Sequence, residues 1–168
     1  MNAVVVYESM YGNTRQVAEA IAEGMGGAPV RSLRDATDVD ADLLVVGGPT
    51  HMHGLATSSS RKMAAQAVQE DGHGELEPGA ADDPGLRHWL RDLPKVDRGR
   101  AATFDTRLDR SAALTGSAAR GIARRLRRRG YDVLETESFL VEDAEGPLED
   151  GELERARAWG AGLARSDS

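Results

Sequence analysis

Apolar positions gather at the start of the chain in a short valine-rich run, Ala3 to Tyr7, that stops at a segment of Ser, Gly, Asn and Thr. A continuous apolar run bounded by turn residues predicts a buried strand followed by a loop. From Thr14 the period lengthens. Val17, Ala18, Ile21, Ala22 and Met25 share one face, while Arg15, Gln16, Glu19 and Glu23 occupy the other. That spacing predicts an amphipathic helix, closed by Gly24, Gly26 and Gly27. A short strand follows near Val30 to Leu33, where Pro29 suits a sheet edge. Leu43 to Gly47 is apolar throughout, as in a strand covered on both faces.

The loop Gly48 to Thr57 then leads to Ser58, Ser59 and Ser60, which can cap a helix running to about Val68. Leu86, Trp89, Leu90 and Leu93 recur at helical spacing, Ala101 to Asp105 reads as a strand, and Leu114 to Arg129 as a long helix. Ser138 to Val141 is the last expected strand, preceded by an extended segment from Tyr131. Leu153, Ala156, Trp159, Gly160 and Leu163 mark a closing helix. Both tryptophans fall on apolar helix faces, so packing is their expected role. Strands alternating with helices predict an α/β fold: one doubly wound domain over residues 1–168, with helices on both faces of a five-stranded parallel sheet. Ligands of such sheets bind beyond the carboxyl ends of the strands. Three loops therefore qualify: Glu8–Thr14, Gly48–Thr57 and Asp105–Ser111.

Composition narrows the picture. The 168 residues contain no cysteine, which excludes disulfides, thiolate metal sites and a Cys nucleophile. No stretch approaches the roughly 18 apolar residues of a membrane span, and the N-terminus carries no basic and apolar leader, so the cytoplasm is the expected location. With 21 basic and 28 acidic residues the net charge is −7, which argues against nucleic acid and anionic membranes as partners. Residues 69–84 hold six acidic residues, three glycines and two prolines, the composition of a mobile surface insertion. Arg120, Arg124, Arg125, Arg127, Arg128 and Arg129 share one helix with an apolar face of Ala118, Ala119, Ile122 and Leu126. They read as a solvated face suited to a helix C-terminus, with salt bridges to the acidic residues after Asp132 or docking of an acidic partner as alternatives.

The first loop carries the clearest chemistry. Ser9 and Thr14 offer hydroxyls, Gly12 permits close backbone approach, and the helix start presents unpaired N–H groups. There is no Lys, hence no GxxxxGK[ST] loop, and no GxGxxG; a phosphate monoester held by neutral donors fits better. No GxSxG is present, so a serine hydrolase is unsupported.

These residues resemble the flavodoxin family. VVVYESMYGNTRQVAEAIAEGM is similar to that family's FMN-phosphate loop and first helix, LLVVGGPTHMHG to its third strand and first flavin-flanking loop, and AATFDTRL to its fourth strand and second flanking loop. EGPLEDGELERARAWGAGLA resembles its C-terminal helix. The resemblance implies the strand order 2-1-3-4-5 and FMN as cofactor. It implies binding residues Ser9, Met10, Tyr11, Gly12, Asn13 and Thr14 at the phosphate, Pro49, Thr50, His51, Met52, His53 and Gly54 on one side of the ring, and Asp105, Thr106 and Arg107 on the other. Neither flanking loop has Trp or Tyr, so an imidazole or Met side chain is expected on the ring face, with the His53–Gly54 peptide facing N5. Asp105 and Arg107 are expected at the pyrimidine edge, or else as a strand-end cap and a solvated cation. The pair His51 and His53 lacks a third ligand, so metal binding is not expected.

The resemblance implies an electron carrier serving redox partner proteins, as a monomer or weak dimer. One alternative is an FMN-dependent oxidoreductase of quinone or protoporphyrinogen type, with His51 or His53 donating a proton. Another is a flavin-free interaction module. No nicotinamide-binding unit is recognisable, which favours the carrier.

Overall fold

Successive residues of the leading strands go to opposite sides, and each side finds its own helices. Val4, Val6, Leu44 and Val46 join one buried cluster, whereas Ala3, Val5, Leu43 and Val45 join the other. The computed structural model describes residues 2–51, 54–55, 76–78, 85–111 and 116–166, together with 59, 62, 63, 66, 80 and 113. The elements are β1 (Ala3–Tyr7), α1 (Asn13–Gly24), β2 (Val30–Ser32), β3 (Leu43–His51), β4 (Gly54–Leu55), α2 (Leu86–Asp92), β5 (Gly99–Leu108), α3 (Ala118–Arg128), β6 (Tyr131–Val141) and α4 (Glu152–Arg165).

Five strands pair in parallel in the order β2-β1-β3-β5-β6, the expected doubly wound sheet. Helices α1 and α4 cover one face; α2 and α3 cover the other. β2 lies at the edge, consistent with Pro29 at its start.

Three expectations need correction. The residues after Gly47 are not all loop: β3 continues to His51 and turns back as β4, pairing Thr50 with Leu55 and His51 with Gly54 antiparallel. The last strand is one continuous element from Tyr131, with a register shift opposite Ala101 and Ala102. As an edge strand it tolerates the exposed Asp132 and Glu135, charges that also discourage pairing with other chains. Helix α3 begins at Ala118, where Ser117 supplies the cap, accepting from the Arg120 N–H at 3.3 Å. The helix expected over 58–68 lies mostly outside the described residues, as does most of the acidic segment 69–84.

The face of α1 and α4 is built around aromatic edges. Phe104 and Phe139 meet edge-on at 6.3 Å between centroids, and Phe139 meets Trp159 at 6.1 Å. Trp89 packs on the other cluster and donates to the Ala36 carbonyl at 2.8 Å. Helices α1 and α4 touch through glycines. A Cβ on Gly160 would lie 2.2 Å from the Ile21 carbonyl oxygen, and one on Gly24 would lie 2.0 Å from that of Arg157. Glu152 ties α4 to β6: it accepts from the Leu140 N–H at 2.6 Å and pairs with Arg155 at 2.7 Å.

Gly160→Ala is expected to destabilise the protein by about 1–3 kcal/mol in urea unfolding. Gly162→Ala, where a Cβ meets nothing within 4 Å, is expected to be neutral or to gain up to about 1 kcal/mol. The bond from Arg155, with that from the Leu140 amide, holds the Glu152 carboxyl below its usual range. Its stabilising effect is therefore present above the ordinary carboxylate pKa and is lost as pH falls through the depressed value. Thermal melts of Glu152→Gln between about pH 7 and pH 3 should show a shallower loss of stability with acid than the parent.

Candidate functional site

The parallel strands deliver the ends of β1, β3 and β5 to one edge, and a crevice of about 250 Å³ opens there. Its walls come from four segments: Ser9, Met10, Tyr11, Asn13 and Thr14; Pro49, Thr50 and His51; Thr106, Arg107 and Leu108; and Val141 with Ala144. Sequence reasoning missed the last segment and Leu108. The loop after β6 leaves the same carboxyl edge, and that rule should have added it as a fourth lining loop.

The Ser9–Thr14 loop is shaped to present backbone. Gly12 sits at φ +92°, in the left-handed region that side chains disfavour, and starts α1 with no side-chain cap. Its N–H donates to Ser9 Oγ at 3.1 Å, which leaves the Ser9 hydroxyl proton to donate elsewhere. Among the described residues no group accepts from the N–H of Tyr11, Asn13 or Thr14. Unpaired donors at the positive end of a helix make an anion site when other groups hold the loop in place.

The loop is held from three directions. Met10 is buried beneath it and its carbonyl accepts from the Glu77 N–H at 2.8 Å, while Glu77 Oε1 meets Arg15 Nε at 2.6 Å. This described part of the acidic segment therefore packs on the loop. Asn13 Nδ2 donates to the Glu145 carbonyl at 3.0 Å, joining the loop after β6. Thr14 and Thr106 hydroxyls lie 2.8 Å apart, joining the end of β5. Burial, with a smaller contribution from Glu145, raises the Tyr11 phenol above its usual pKa, so it stays a neutral hydroxyl.

Asp105 behaves differently from its neighbours. Strand alternation sends Thr106 towards α1 and Asp105 towards α3. Asp105 is fully buried there, and its Oδ2 accepts from Thr50 Oγ1 at 3.0 Å, Ser117 Oγ at 2.7 Å and the Ala119 N–H at 2.9 Å. Thr50 Oγ1 in turn accepts from the Ala118 N–H at 2.9 Å. Of the two readings held open in the sequence, the cap is the one built. Asp105 thus does not line the crevice, and it positions Thr50, which does. Arg107 lines it, with Nη1 donating to the Arg110 carbonyl at 2.6 Å and Nε buried without an acceptor among the described residues. Gly54 pairs with His51 in the β3–β4 hairpin; Met52 and His53 lie outside the described residues.

A family model described as flavodoxin matches residues 5–159. The chain belongs to the flavodoxin family. FMN as cofactor and electron transfer as role come with that membership. The row of free donors, two hydroxyls and a left-handed Gly12 fit a flavin phosphate, so residues and cofactor agree. Solved structures share this flavodoxin fold. Oxidised flavodoxin 2 from Bacillus cereus aligns at 17% identity and TM-score 0.64, covering 99% of each chain. The two-electron reduced flavodoxin of Megasphaera elsdenii aligns at 24% identity and TM-score 0.56, over 95% of this chain and 98% of that one. General stress protein 14 from Treponema denticola, solved in complex with FMN, aligns at 12% identity and TM-score 0.53 over 100% of both chains. No curated protein matches the sequence.

Asp105→Ala strands three donors in the interior, and urea unfolding is expected to show a loss of about 1–3 kcal/mol.

Proposed function

We propose that this flavodoxin-family protein carries electrons between partner proteins of the cytoplasm, with FMN seated in the crevice at the carboxyl edge. The single observation that carries this reading is the run of backbone donors at the start of α1 that no described group accepts from. In it, Ser9 and Thr14 hydroxyls and the Tyr11, Asn13 and Thr14 amides hold the phosphate, while Gly12 supplies the turn and Met10 the anchor beneath. Pro49, Thr50, His51, Met52, His53 and Gly54 flank the ring on one side, and Thr106 and Arg107 on the other. Asp105 acts at one remove, as the residue that fixes Thr50. When bound, FMN supplies one- and two-electron redox chemistry, and the protein's contribution is to hold and tune it.

Support for a protein partner comes from the rim. The loop after β6 shares the crevice wall and carries Glu142, Asp143, Glu145, Glu149 and Asp150. An acidic rim steers a basic partner face towards the cofactor edge, which sets encounter rate more than affinity. No helix among the described residues is long and apolar enough to cross a membrane.

A phosphate-gripping loop is tested by comparing two ligands that differ only in the phosphate. Ser9→Ala and Thr14→Ala should each weaken FMN binding by about tenfold or more in fluorescence titration, the value of a hydrogen bond to a charged group. Riboflavin affinity should stay within about twofold of the parent, since it lacks the group these hydroxyls address. Equal losses for both ligands would place the phosphate elsewhere.

A further inference from the structure

A second site lies at the opposite edge of the sheet. Helices α2 and α3 both end at the amino edge, because Lys95 shortly precedes the start of β5 and Arg129 shortly precedes that of β6. Between them is a cleft of about 370 Å³ lined by Arg87, Arg91, Lys95, Arg125, Arg128 and Arg129 over a floor of Leu90. All its polar lining residues are cationic, in a chain whose net charge is −7.

Helix-end cations account for part of this, since a C-terminus favours positive charge. They do not account for convergence from two helices. Among the described residues, no carboxylate lies within ion-pair distance of Arg125, Arg128 or Arg129, so the expected salt bridges to the acidic residues after Asp132 are not formed. Arg125 Nη1 donates to the Gly121 carbonyl at 3.0 Å and Arg129 Nη2 to the Arg91 carbonyl, oxygens that carry no net charge. Arg91 pairs with Asp92 at 3.0 Å, and the Asp92 carboxylate also acts through space on Arg129. Burial first, then Arg87, Arg124 and Arg128, push the Arg125 guanidinium below its usual pKa. Like charge is therefore crowded around Arg125, and a multivalent anion in the cleft would relieve it.

We propose that this cleft binds a compact polyphosphate-bearing small molecule, whose charges bridge the guanidinium groups of α2 and α3. Arginine forks suit phosphate oxygens geometrically as well as electrostatically. A compact ligand is favoured over a nucleic acid because a longer polyanion would run on over a surface that is acidic overall. The site lies at the end of the sheet away from the flavin crevice, so it is independent of electron transfer there.

Calorimetric titration of the FMN-loaded protein with tripolyphosphate is expected to give one site per chain, and sulfate to bind at least about tenfold more weakly. Arg125→Gln combined with Arg128→Gln should weaken tripolyphosphate by about tenfold or more and leave FMN affinity unchanged. As a readout that needs no ligand, Arg125→Gln alone should raise the melting temperature in anion-free buffer and abolish most of the rise that tripolyphosphate gives the parent. Three results would overturn the proposal: no saturable tripolyphosphate binding, equal binding by the double variant, or a DNA duplex bound more tightly than tripolyphosphate.

Discussion

Helix α1 begins without a side-chain cap, at a glycine, and with amide donors that no described group accepts. Buried or half-buried donors of this kind cost free energy unless something charged or strongly polar meets them. A helix start is also the positive end of a dipole, so the natural complement is an anion. The surroundings of this edge of the molecule serve to keep that segment open and fixed, and a flavin phosphate is the group its family brings.

Three pieces of chain hold the segment, and a fourth set of bonds steadies the wall that faces it. The Glu77 amide bonds the Met10 carbonyl from outside, Asn13 reaches the Glu145 carbonyl, and Thr14 meets Thr106 across the sheet edge. Asp105 fastens α3 and Thr50 from the far side of the sheet. Alternation along β5 makes this division possible: neighbouring residues Asp105 and Thr106 serve opposite faces, one as cap and one as wall. A small parallel sheet thereby gathers a binding edge from residues far apart in sequence, with both hydrophobic layers behind it.

Much of this was legible in the sequence because it is local. The valine run before Tyr7, the helical spacing from Val17 to Met25 and the hydroxyl-rich turn between them lie within one short stretch, which folds as β1, a turn and α1. What escaped was non-local. Gly48-Pro49-Thr50-His51 reads as loop from its glycine and proline, and only pairing makes it strand: Gly48 and Pro49 with Asp105 and Thr106 of β5, Thr50 and His51 with Leu55 and Gly54. The acid-rich start of β6 looks unsuited to a sheet until its place at the edge is known. A capping role for Asp105 was open in the sequence, but nothing local selects it, since its partners Ser117 and Ala119 come after an intervening loop. The cationic cleft was visible as a charge run on one helix, but its second wall, from Arg87, Arg91 and Lys95, needed the packing of α2 against α3.

The most direct measurement is an amide correlation spectrum of ¹⁵N-labelled apo-protein recorded with and without FMN. If the phosphate sits on the start of α1, the amide protons of Tyr11, Asn13 and Thr14 move downfield as they gain a charged acceptor, and their solvent exchange slows. If those three signals stay in place while FMN binds and others shift, the phosphate is held somewhere else and the reading of this edge is wrong.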